Sequence, residues 1–123
     1  MKHKILTAVL IFSLTACSAP PTPTDSGVEG QVLIGPMCPI VQEGQECPDQ
    51  PYQATLTVLS PNGRRIVQVQ TDEQGRFKIP LAPGEYILHP ESPNGLPFAS
   101  DQNFVVEAGR FTDIVVNYDS GIR

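Results

Sequence analysis

Residues 53–81 read QATLTVLSPNGRRIVQVQTDEQGRFKIPL. Ala54, Leu56 and Val58 alternate with Gln53, Thr55 and Thr57, while Val67 and Val69 alternate with Gln68 and Gln70. Phe77 and Ile79 enclose Lys78. A period of two puts one set of side chains on a buried face and the other in solvent, which is the pattern of a half-buried strand. Between the runs lie Ser60-Pro61-Asn62-Gly63 and Asp72 to Gly75, turn sequences in which proline presets one angle and Asn and Gly tolerate positive φ. Outward from this stretch the same grammar continues. Tyr86 and Leu88 flank Ile87, Phe104 and Val106 flank Val105, and Ile114, Val116 and Tyr118 alternate with Val115 and Asn117. The tetrapeptide Ser-Pro-Asn-Gly recurs at Ser92 to Gly95, and Pro83-Gly84 and Ala108-Gly109 mark further turns. The spacing predicts seven strands, near 28–34, 53–60, 64–71, 76–81, 85–89, 102–108 and 110–118, with no sustained helical repeat. An all-β, seven-stranded antiparallel β-sandwich is the expected fold.

The chain has 123 residues, enough for one folded domain. With 40% hydrophobic and 17% charged residues it has the composition of a compact chain. A net charge of −5 lacks the cationic footprint that releases phosphate counterions, so nucleic acid is not expected as a partner.

The first residues have their own logic. Lys2, His3 and Lys4 precede the apolar run Ile5 to Leu14, which is followed by Thr15, Ala16 and Cys17. A basic start, a short apolar stretch and a small-residue exit are expected of a secretory signal peptide over residues 1–16. Leu14-Thr15-Ala16-Cys17 resembles the lipobox of bacterial lipoproteins. That resemblance implies diacylation of the Cys17 thiol, cleavage before it, and attachment to the cell envelope; Ser18, which is not Asp, implies the outer membrane in a two-membraned cell. Two or three acyl chains anchor stably because each buried methylene contributes about 0.8 kcal/mol. Removal of Lys2 and Lys4 leaves six cations against 13 acids, an unsuitable charge for lying flat on an anionic bilayer. Residues 17–27 form the expected lipidated, proline-rich linker. At about 3 Å per residue its ten residues 18–27 reach roughly 30 Å.

Three pieces of the remainder resemble the carboxypeptidase regulatory-like domain of the transthyretin-like (prealbumin-like) sandwiches. Thr71-Asp72-Glu73-Gln74-Gly75-Arg76-Phe77 is similar to its T-D-x-x-G-x-F hairpin, and Pro83-Gly84-Glu85-Tyr86 to its P-G-x-Y strand entry. The closing strands turn at Val105-Val106-Glu107-Ala108-Gly109. The resemblance covers residues 28–118, leaves 119–123 as a tail, and implies a fold rather than an activity. The same residues also make folding sense alone. Asp72 accepts backbone hydrogen bonds in its turn, Gly75 supplies a conformation other residues resist, and Phe77 begins the buried face.

Chemistry-bearing residues are few. Cys38 and Cys47 lie nine positions apart in the segment GPMCPIVQEGQECPDQP, residues 35–51, and an exported chain permits disulfides. A zinc site would need two more suitable ligands, and His89 is the one histidine downstream of the signal. The disulfide is therefore the expectation, and no metal or cofactor is expected. His89 shares the outward face with Glu85 and Ile87 and reads as solvated. Catalysis of the nucleophile–base type lacks a nameable pair, so no catalytic residue is assigned and the chain is not expected to be an enzyme. Asp72 and Glu73 lack the spaced acids of a calcium loop. Lys78, the one lysine after the signal, is expected to point outward and not into an isopeptide crosslink.

Two segments exceed what a hairpin needs. Residues 36–51 and their flank carry Met37, Ile40, Val41 and Tyr52, and residues 90–101 carry Leu96, Pro97 and Phe98. Long loops on a rigid scaffold are common binding surfaces, although each loop can instead fold back to plug the sandwich. The leading functional expectation is a non-catalytic, lipid-anchored envelope protein that docks another envelope protein through these loops. The alternative is a carbohydrate-binding module, for which Tyr52 and Phe98 are the candidate aromatic platforms because the chain has no Trp and Tyr86 and Tyr118 read as core.

Overall fold

The computed structural model describes residues 25–38 and 47–122. The described residues form eight strands: β1 (Gly27–Gly35), β2 (Gln50–Pro51), β3 (Thr55–Leu59), β4 (Arg65–Gln70), β5 (Arg76–Pro80), β6 (Gly84–Pro90), β7 (Gln102–Val106) and β8 (Phe111–Asp119). They build two four-stranded sheets packed as a β-sandwich. One has the order β4-β3-β6-β7, antiparallel throughout. In the other, β1 is central, with β5 and β2 along one side and β8 along the other.

Two features correct the expectation of seven antiparallel strands. β2 is an additional two-residue strand inside the first long segment, pairing Gln50 and Pro51 with Ile34 and Leu33. β1 and β8 run parallel over their whole lengths, from Gly27 opposite Phe111 to Gly35 opposite Asp119. Parallel neighbours need a crossover connection, and here the rest of the domain supplies it. The strand limits otherwise fall within a few residues of those expected, β3 being shortest against its prediction because Ala54 bonds to the Thr71 hydroxyl at 2.9 Å in place of the ladder.

The alternating residues meet between the sheets. Val28, Val32, Phe77, Ile79, Ile114, Val116 and Tyr118 from one sheet pack with Leu56, Val58, Leu88, Phe104 and Val106 from the other. Tyr86 is only half-buried, stacked on Phe104 at 5.5 Å with its hydroxyl donating to Ala82 O. Outward residues behave as expected: Val105 and Val115 are exposed, and Lys78 is exposed with its ammonium 4.4 Å from the centre of the Phe111 ring. Asp72 does hold its turn, its carboxylate accepting from the Gln74 and Arg76 amides at 2.9 and 2.8 Å.

Candidate functional site

Strand register sorts the connections to two poles. Gly27 lies opposite Pro80 and Phe111, so the chain enters beside the 81–83 and 107–110 turns; Leu81 N donates to Ser26 O at 3.0 Å and Gly27 N to Arg110 O at 3.3 Å. The opposite pole collects the ends of β1, β6 and β8. The described ends of both long segments are therefore brought to one place, the pole away from chain entry.

The end of β8 joins them. Ser120 N donates to Gly35 O at 2.9 Å and the Ser120 hydroxyl to Pro36 O at 2.6 Å, which ties down the start of the first segment. Phe98 and Asp119 exchange backbone hydrogen bonds of 3.0 and 2.7 Å, which ties down the second. Leu96 lies against Gly121, where a methyl group would meet its Cδ1 at 2.7 Å. Ala99 is buried in the core, so the peptide on both sides of it is held while its neighbours project. Leu96 and Phe98 are 54% and 51% exposed, and Met37 at the same pole is 39% exposed.

Of the candidate interaction residues, Met37, Leu96 and Phe98 thus share one pole and face solvent. Tyr52 is also there but packs inward, half-buried, its ring edge-on to Tyr118 at 5.0 Å and its amide donating to Val32 O at 3.0 Å. It plugs the sandwich end and does not present an aromatic face. Ile40 and Val41 lie outside the described residues, as does Cys17 with the whole expected signal and most of the linker. Cys38 and Cys47 are joined by a disulfide, which closes the first segment at its base.

One cluster was not legible in the alternation. His89 Nδ1 is 2.6 Å from Asp101 Oδ1, and its Nε2 is 3.7 Å from Glu91 Oε2. Glu91 and Asp101 sit where the 91–101 segment leaves β6 and returns toward β7, so the imidazole clasps both ends of that loop. Glu91 in turn accepts from the Thr57 hydroxyl at 2.7 Å, and Thr57 accepts from the Gln68 amide at 2.9 Å. The Thr57 hydroxyl donates to the carboxylate, so a hydrogen-bonded path runs from Gln68 through Thr57 and Glu91 to the imidazole and fixes the loop. A sequence clue existed in the spacing of Glu91 and Asp101 around a turn, but only pairing of β6 with β7 brings Asp101 beside His89. Among the described residues, no three His, Cys, Asp or Glu side chains converge as a metal site.

On the outer face of the same sheet lies a shallow groove of about 410 Å³, lined in part by Tyr52, Thr55, Gln68, Gln70, Glu91 and Pro93. Its polar groups are amides, a hydroxyl and a carboxylate.

No family model matches the chain, and no curated protein matches it. Among solved structures its fold is similar to that of the Bacillus anthracis TIE protein, with a TM-score of 0.51 and 23% identity over 77% of this chain. This chain corresponds to 17% of that protein's length, and the likeness is one of fold.

Proposed function

We propose that this chain is a lipid-anchored, non-catalytic cell-envelope protein whose transthyretin-like, carboxypeptidase regulatory-like sandwich docks another envelope protein. The observation that carries this reading is the gathering of the described ends of both long segments at the pole opposite chain entry, with Leu96 and Phe98 more than half exposed on a hydrogen-bonded base. Exposed apolar side chains on a held backbone favour docking, since little conformational freedom is lost on binding. A tether entering at the other pole leaves the loop pole clear of the anchor. Cys17 is the proposed lipid attachment point, and the outer membrane is the proposed location where two membranes exist.

Crosslinking in intact cells, with the Cys17→Ser chain as the unanchored control, tests the reading. One dominant envelope protein captured by the wild type and lost from Leu96→Asp and Phe98→Asp supports it; equal capture by those variants refutes it.

The groove beside Tyr52 favours a second reading, a glycan-binding module. Side-chain amides and a carboxylate suit sugar hydroxyls, and Pro93 and Tyr52 offer apolar edges. Retardation on polysaccharide gels that is abolished by Gln70→Ala supports this alternative, and elution with the void marker removes it.

A further inference from the structure

Sheet edges present unpaired backbone groups and invite pairing with another strand unless something protects them. Four edge strands among the described residues are protected. β5 carries Arg76, Lys78 and Pro80. β2 is two residues long and ends in Pro51. β7 and β8 border one another, with the Gln102 amide donating to Val115 O at 3.1 Å and the Thr112 hydroxyl to Val105 O at 2.5 Å. β4 closes its sheet with such devices confined to its start, where Arg65 pairs with Leu59 and Ile66 bulges out of the ladder. From Ile66 to Gln70 it has no charge, no proline and no glycine.

The ladder tells which groups β4 offers. Thr71 N donates to Ala54 O at 2.8 Å, which makes that pair hydrogen-bonded, and the alternation gives the same status to Val69–Leu56 and Val67–Val58. Gln68 and Gln70 therefore turn their backbone amides and carbonyls away from β3. The edge is also bipolar. Arg64 and Arg65 stand at its start, and Asp72 and Glu73 follow its end.

A bipolar edge whose regular stretch, Val67 to Gln70, is open is complementary to itself when reversed. We propose that β4 pairs antiparallel with β4 of a second copy of this chain, about a two-fold axis at Gln68. In that register Gln68 exchanges both backbone hydrogen bonds with its counterpart. Val67 lies opposite Val69 of the second copy, and the Arg64–Arg65 end faces the Asp72–Glu73 end. No like charges are opposed, and the two four-stranded sheets become one of eight strands. Because the other edges are guarded, the assembly closes at two copies and does not grow. The surface used is the side of the sandwich, so the inference is independent of docking at the loop pole. Pairing turns the second copy end for end, and residues 18–25, at about 3 Å each, lead from each chain-entry pole toward one membrane.

The full chain, extracted from membranes in mild detergent, is measured by light scattering and by disulfide trapping. The wild type has the mass of two chains. Gln68→Cys yields a disulfide-linked dimer whose crosslinked peptide joins position 68 to position 68, while Glu107→Cys at the chain-entry pole does not. Gln68→Lys and Ile66→Lys, which place added cations on the edge, weaken dimerisation at least tenfold. A wild-type chain of monomer mass, a ladder of higher multimers, or equal trapping from position 107 overturns the proposal.

Discussion

Gly30 sits in β1 between β5 and β8, where a methyl group would overlap the Ile114 carbonyl oxygen and press on the Phe77 ring. Forcing an atom into a packed site with a backbone wall is strongly destabilising, and we expect Gly30→Ala to cost about 3 kcal/mol in urea denaturation. Gly75 has a different reason to be glycine. Its φ is +74°, and an added methyl would meet Val32 O. Tyr118 is the one described group whose titration is clearly displaced: burial first, then the nearby Tyr52 and Glu91, push its phenol from 10.0 up to about 12. The unfolded chain ionises near pH 10 while the native phenol stays protonated. This contribution to stability is therefore complete below about pH 10 and is lost as pH rises toward 12. Tyr118→Phe removes the 2.8 Å hydrogen bond to Glu91 O. It should cost about 1 kcal/mol at neutral pH, and the tyrosinate absorbance step near pH 12 should vanish with it.

At the scale of elements, the disulfide and the strands it borders are open to a direct test. Cys38–Cys47 closes the first long segment just outside the β1–β2 pairing. Cys47→Ser should lower stability by about 2–3 kcal/mol through the freed unfolded chain, with the thermal midpoint as the readout. The strands from β3 to β6 were legible because each is half-buried and bounded by a Pro-Gly or Asn-Gly turn. β1 against β8 was not, because local alternation carries no record of which strands become neighbours or of their direction. β2 escaped notice for a related reason: two residues have no period, and Gln50–Pro51 is a strand only by virtue of Ile34 and Leu33. Tyr52 looked available because its partner, Tyr118, is remote in sequence. Leu96 and Phe98 were found by the lack of alternation around them, whereas the clasp of His89 by Asp101 and Glu91 depends on how a loop returns.

Across the whole molecule, the register separates chain entry from the two long segments, and this separation underlies the docking proposal. Exposed residues on a supported backbone can be changed with little effect on folding. Leu96→Asp and Phe98→Asp should leave stability within about 0.5 kcal/mol of wild type while removing partner capture. The groove on the sheet face shares Gln68 and Gln70 with the β4 edge, while Leu96 and Phe98 belong to neither, so the docking variants answer separately from those of the other two surfaces. The most direct measurement places a photo-crosslinking amino acid at position 98, and in a second chain at position 62 near the entry pole, in intact cells. The docking account predicts one dominant crosslinked envelope protein from position 98 and none from position 62. No product from position 98, or the same product from both positions, would contradict it.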